Sequence, residues 1–170
     1  MKFNINNKTP LINFFRFRKP PVGVGGFILL SLICLFSCKD KENPVPLTYV
    51  NFTIQNIEFD AQFESKLNIQ GQSVFIKNTT LCWGYNCNGL IIYRYKTEGT
   101  YDDFRVFDAT CPHDLGSQIL TIDKAFPDLA ECKKCGSIFT MHGDYMLQGP
   151  ARHPLRMLRS SFMNGDLHIY

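Results

Sequence analysis

Two short clusters of metal-seeking side chains constrain this chain more than any other feature: Cys111-Pro112-His113 and Cys132-Lys133-Lys134-Cys135. Residues 114–131, eighteen in all, separate them. Each cluster is short enough for both of its side chains to grip one centre from a tight loop. If the clusters share a centre, the fold must bring two loops together as a pair of fingers. Three thiols and one imidazole are a soft donor set, which points to zinc or an iron–sulfur cluster and away from magnesium or calcium. Spacing alone does not choose between them, because three cysteines and one histidine are also a standard tetrahedral zinc set.

The sequence around these clusters reads as all-β. From Leu47 onward, short aromatic and β-branched runs alternate with turn residues, and no 3.6-residue periodicity is sustained. Strands are predicted at Thr48 to Ile54, Ser73 to Lys77, Leu90 to Tyr95, Phe104 to Asp108, Ile138 to His142, Tyr145 to Leu147, Met157 to Met163 and Asp166 to Tyr170. Two hairpins are marked, at His142-Gly143-Asp144 and at Asn164-Gly165, where both positions tolerate positive φ. Ile119 to Leu129 reads equally well as a strand or as a short helix or irregular loop. Trp83, Tyr85 and Ile91-Ile92-Tyr93 read as core and sheet-face residues. Cys82 and Cys87, flanking Gly84 and Asn86, read as a small disulfide-closed turn.

At 170 residues with 45% apolar and 19% charged, the chain is composed like one globular domain. Its formal charge of +3 is inflated by Lys2, Lys8, Arg16, Arg18 and Lys19, without which the remainder is slightly acidic. Composition therefore gives no case for nucleic-acid binding, which needs a concentrated basic stripe. Those basic residues precede an apolar run ending at Ser37, the pattern of an export signal, and the run is short for a spanning helix. Leu35-Phe36-Ser37-Cys38 resembles a lipobox, with Phe36 bulkier than usual; Ile33 makes Cys34 the poorer candidate.

The expected organisation is a lipoprotein signal peptide at 1–37, lipidation of Cys38, a tether at 38–46 and a domain at 47–170. The chain would then sit on the cell envelope, lipid-anchored to a membrane and outside the cytoplasm. An uncleaved anchor helix is the alternative.

The domain resembles the Rieske family, whose cluster-binding loops read C-x-H and C-x-x-H, the second continuing Gly-Ser or Gly-Trp. Cys111-Pro112-His113-Asp114-Leu115-Gly116 resembles the first loop; Cys132-Lys133-Lys134-Cys135-Gly136-Ser137-Ile138-Phe139 resembles the second except at Cys135. Gly149-Pro150-Ala151 followed by Pro154-Leu155 is similar to the family's proline loop, and Gly165-Asp166-Leu167-His168-Ile169 to its last strand. The resemblance spans residues 85–170 and implies an antiparallel β sandwich with a small cluster-binding subdomain, its loops at about 109–155.

It also implies a [2Fe–2S] cluster with Cys111 and Cys132 on the inner iron, His113 on the outer, and Cys135 where the second histidine stands. A thiolate there adds negative charge, and Phe139 replaces the tyrosine that donates a hydrogen bond in high-potential members. Ser137 keeps a hydroxyl for a bridging sulfide. A lower-potential electron carrier or oxidoreductase subunit follows, working with an unidentified redox protein. The rival is a non-redox binding or structural lipoprotein with zinc or no metal, the cysteines then being buried thiols or a Cys132–Cys135 disulfide. An oxygenase component has no room for a catalytic iron domain. His142 is a badly placed substitute for the missing imidazole, and His153 and His168 read as ordinary surface or strand residues. The sequence has no nucleophile-elbow serine, no phosphate-cradling glycine loop and no paired carboxylates at a meaningful spacing.

Overall fold

An apolar run without polar alternation suits a strand only where both of its faces are covered. The computed structural model describes residues 42–61, 63–78, 80–116 and 120–170. The expected signal peptide, Cys34, Cys38 and the start of the tether lie outside the described residues, as does Ile119. The strands are β1 (Phe52–Ile54), β2 (Ser73–Ile76), β3 (Leu90–Arg94), β4 (Phe104–Asp108), β5 (Thr121–Ile122), β6 (Leu129–Glu131), β7 (Ile138–Thr140), β8 (Tyr145–Gln148), β9 (Met157–Leu158), β10 (Ser160–Met163) and β11 (Asp166–Ile169). Among the described residues, one α-helical turn, α1 (Glu64–Leu67), and a 3-10 turn at Tyr85–Cys87 interrupt them. Among the described residues, no helix is long and apolar enough to cross a membrane.

The strands form three sheets, ordered β1-β11-β10, β2-β3-β4-β9 and β5-β6-β7-β8, and every pairing is antiparallel. The chain is thus all-β, as its short aromatic and β-branched runs between turn residues predict. The sheet containing β3 is the middle layer. Successive side chains of a strand point to opposite faces, so Leu90 and Ile92 join one core with Val106, Phe162 and Leu167, while Ile91 and Tyr93 join a second with Phe107, Ala130 and Phe139. That division explains why all five residues of β3 are buried. Cys111 and Cys132 belong to the second core.

Differences from the expected strands have local causes. The run Met157 to Met163 breaks at Arg159, because β9 pairs with β4 and β10 with β11, in different sheets. β5 and β6 fall in or next to the stretch left open between a strand and a short helix or loop. They form because β6 pairs with β7, setting Ala130 opposite Phe139 in the second core. Both expected hairpins are present: Asn164 and Gly165 take φ of 52° and 89° between β10 and β11, and Asp144 takes 54° between β7 and β8. The chain is already docked by residue 43, where the Asn43 side-chain amide donates to the Pro154 carbonyl at 2.9 Å and Arg156 donates to the carbonyls of Val45 and Asn43 at 2.7 and 3.0 Å.

A buried ion pair closes the β3–β4 turn. Arg94, only 3% exposed, stacks on the Phe104 ring at 4.2 Å and places Nη2 2.6 Å from Glu58 and 3.4 Å from Asp103. The Asp103 carboxylate also accepts N–H bonds from Gly99 at 2.8 Å and Thr100 at 3.1 Å, and the Thr100 hydroxyl at 2.7 Å. Burial by itself raises the Asp103 pKa, but these donors and Arg94 outweigh it and hold the carboxyl below its ordinary value. Its contribution to stability is therefore complete above the unfolded carboxylate range, about pH 3.9, and lost as pH falls through the lower folded value. We predict that Asp103→Asn lowers the unfolding free energy by about 3 kcal/mol at pH 7. The difference from wild type should shrink below about pH 4 in urea titrations; a deficit constant down to pH 2 would contradict this account.

Candidate metal centre

Two loops carry the predicted ligands, and hydrogen bonds fix each of them. The first continues from β4: the Asp108 carboxylate accepts the N–H of Thr110 at 2.9 Å, and Ala109 N–H donates to the Gly89 carbonyl at 3.0 Å. The second joins β6 to β7 as a tight turn, in which Gly136 N–H donates to the Cys132 carbonyl at 2.8 Å and Cys132 N–H to the Ser137 carbonyl at 2.9 Å. Gly136 sits at φ +72°, a conformation glycine adopts without steric cost. An ion pair joins the loops, Lys134 Nζ lying 2.6 Å from Asp114. Its lysine is exposed while its carboxylate is largely covered, and the pair ties the first loop to the second.

The loops bring Cys111, Cys132 and Cys135 together, with their sulfurs all within 4.8 Å of one another. Cys111 and Cys135 are nearest, at 3.6 Å. The first two cysteines have no exposed surface, whereas Cys135 is half-buried. His113 stands outside this close group, exposed on the rim of a depression it shares with Asp114, Lys134, Cys135 and Pro150. Three of the four predicted ligands therefore converge, and the fourth opens toward solvent next to Cys135.

Ser137 is fully buried beneath them. Its hydroxyl oxygen lies 3.1 Å from Cys135 Sγ and accepts the Ala151 N–H at 3.1 Å. Phe139, also fully buried, lies in the second core. The segment Gly149-Pro150-Ala151 lies against the second loop. A Cβ on Gly149, whose φ is +108°, would fall 2.4 Å from Ser137 Cα, so no larger residue fits there.

Burial pushes the Cys111 thiol up to about 12. Burial also acts to raise Cys135, but hydrogen bonds from the Ser137 hydroxyl and N–H outweigh it and lower its pKa. Without metal, Cys111 thus keeps its proton and Cys135 is the readier thiolate; binding a cation at this donor set displaces protons. Three soft sulfurs on one point, with an imidazole at the rim, fit a zinc ion or an iron–sulfur group and do not fit a hard cation.

The other predicted residues lie elsewhere. Cys82 and Cys87 form the expected disulfide. The His142 ring is engaged by Tyr93, whose hydroxyl is 3.2 Å from Nδ1, and His168 pairs with the Thr53 hydroxyl at 2.9 Å on the outer sheet. His153, read from sequence as an ordinary surface residue, lines a depression together with His113, Pro112, Pro150 and Arg152. Its sequence signal was its place three residues beyond Pro150.

No family model and no curated protein matches the chain. Among solved structures it is similar to a chain in the complex of reduced oxygenase and oxidized ferredoxin in carbazole 1,9a-dioxygenase, with 19% identity and a TM-score of 0.40 over 59% of this chain and 81% of that one.

Gly149→Ala should force the 149–151 segment off Ser137. We expect a loss of about 1–3 kcal/mol of stability, read from thermal unfolding, with weaker metal retention in the same samples. A variant that melts with wild type would show that this contact holds nothing in place.

Proposed function

We propose that this chain is a Rieske-type electron-transfer protein, with Cys111, Cys132, His113 and Cys135 holding a [2Fe–2S] group. The observation that carries this reading is the division of the ligands by burial. Cys111 and Cys132 are fully enclosed, while His113 is exposed and Cys135 half-buried beside the same depression. An inner shielded pair and an outer solvent-facing pair suit a binuclear group with one buried and one accessible end. The loop sequences C-x-H and C-x-x-C, the Gly-Ser continuation and the Gly-Pro-Ala segment against Ser137 agree with that assignment.

When bound, such a group takes up or releases one electron at a potential set by its ligands and surroundings. The chain's own contributions are then specific. Cys135 presents a thiolate where the family has an imidazole, adding negative charge. Ser137 offers a hydroxyl for a sulfur acceptor, and Phe139 offers none. All but the Ser137 donor favour the oxidised state, which gives a lower-potential centre. The working partner under this reading is another redox protein meeting the His113 face, and Cys38 carries a lipid anchor on the cell envelope.

A second reading has one observation in its favour. The 3.6 Å between Cys111 and Cys135 is close to the edge of a tetrahedron with metal–sulfur bonds of about 2.3 Å, which suits a single zinc ion. Anaerobic purification followed by iron, labile-sulfide and zinc analysis with EPR separates the two. Iron and sulfide in equal amounts support the electron carrier; zinc near one per chain with no sulfide removes it.

For the loaded protein we expect a midpoint potential below about +100 mV, and a rise on Cys135→His within the range of roughly −400 to +300 mV that such centres span. A redox titration showing an unchanged or lower midpoint in Cys135→His would refute the role given to Cys135. Mass spectrometry of the mature N-terminus checks the anchor: a diacylated or triacylated Cys38 is expected, and an intact Met1 would exclude it.

A further inference from the structure

The first ligand loop does not stand on β4 alone. The disulfide-closed segment Cys82–Cys87 and the two residues after it bind the loop along its length. Tyr85 N–H donates to the Asp108 carboxylate at 2.6 Å, and the Thr110 hydroxyl donates to the Tyr85 carbonyl at 3.2 Å. The Asn86 side-chain amide reaches the Leu115 carbonyl at 2.9 Å. That of Asn88, a fully enclosed residue, donates both to the Thr110 hydroxyl at 2.9 Å and to the Gly116 carbonyl at 3.0 Å. These contacts bracket Cys111 and His113 on both sides.

The segment holding them is one the backbone does not favour unaided. Cys82, Asn86 and Cys87 take left-handed φ values of 51°, 53° and 56°. Non-glycine residues persist in that region only where their surroundings over-determine them. Gly84 is folded so tightly that a Cβ would lie 2.4 Å from the Gly89 carbonyl oxygen. The covalent closure between Cys82 and Cys87 is the strongest of the constraints that keep this shape.

We propose that the Cys82–Cys87 segment is a third, non-ligating finger of the metal centre: a clamp, with Tyr85, Asn86 and Asn88 as positioning residues, that holds Cys111 and His113 in ligating register. It rests on the metal-centre reading above but is indifferent to whether zinc or an iron–sulfur group is bound. Removing the closure lets the left-handed residues relax, withdraws the donors from residues 108–116, and frees the exposed His113 side of the loop more than the enclosed Cys132 turn. Groups that orient ligands in this way contribute about ten- to a hundredfold to metal retention.

The test uses the full chain as wild type, as Cys82→Ser/Cys87→Ser, and as Asn86→Gly. The last keeps the left-handed backbone without strain and deletes only the amide bonded to Leu115. Amide hydrogen exchange of the metal-free proteins reports the clamp directly. In the double variant Ala109 and Thr110 should exchange about tenfold faster or more, while Phe162 and Leu167 in the opposite core keep wild-type rates and so report an intact fold. Each protein is then loaded anaerobically with cobalt(II), and loss of its thiolate absorption to EDTA is timed. We expect release about ten- to a hundredfold faster in the double variant, and a smaller acceleration in Asn86→Gly.

Unchanged exchange at Ala109 and Thr110 would overturn the clamp. Faster exchange with unchanged cobalt release would overturn its role at the centre. If the double variant does not fold, Asn86→Gly decides by the same two readouts. Wild type that takes up no cobalt and, given iron and sulfide anaerobically, also assembles no cluster would instead remove the metal-centre reading, and with it the role, while the exchange result still stands separately.

Discussion

The structure depends on one sheet serving two cores. Leu90 and Ile92 face one side of β3 and Ile91 and Tyr93 the other, and β4 divides in the same way between Val106 and Phe107. A shift of one residue in either strand would exchange the two sets of side chains, so the register is specified from both faces. The first ligand loop is the direct continuation of β4, and Cys111 itself packs in the second core. Packing therefore fixes where this cysteine lies before any metal chemistry applies.

The two ends of β4 are held by buried carboxylates whose titration runs in opposite directions. Asp103, at the turn, meets Arg94 and several N–H and O–H donors, which together outweigh burial and lower its pKa. Asp108, at the ligand end, is raised because burial outweighs the donors it receives from Thr110 and Tyr85. The signs follow from linkage: ionised Asp103 supports the fold at neutral pH, whereas ionisation of Asp108 opposes it and its protonation at low pH favours it. The charged anchor therefore sits at the turn, and the carboxylate that is costly to ionise supports the ligand loop.

At the candidate centre, burial and hydrogen bonding also divide similar groups into different roles. Cys111 is enclosed and holds its proton, while Cys135 is eased toward thiolate by Ser137. Ser137 is itself tied to Ala151, so the Gly149-Pro150-Ala151 segment and the second loop share a hydroxyl. Such supporting contacts orient ligands and tune what they bind as much as the ligands do.

The sequence by itself determined the all-β class, because the preferences of aromatic, β-branched and turn residues act locally. It also determined the Asn164-Gly165 and His142-Gly143-Asp144 hairpins, the Cys82–Cys87 disulfide, whose partners are close in the chain, and the two ligand clusters as candidates. Tertiary structure alone decided the rest. The short strands β5 and β6 carry too few residues for a pattern and exist through pairing, β5 with β6 and β6 with β7. The break at Arg159 depends on which sheet each half joins. The convergence of Cys111 with Cys132 and Cys135, the exposure of His113 and its shared depression with His153 join residues distant in the chain. Local propensity carries no information about such contacts; they are set by which faces must be buried together.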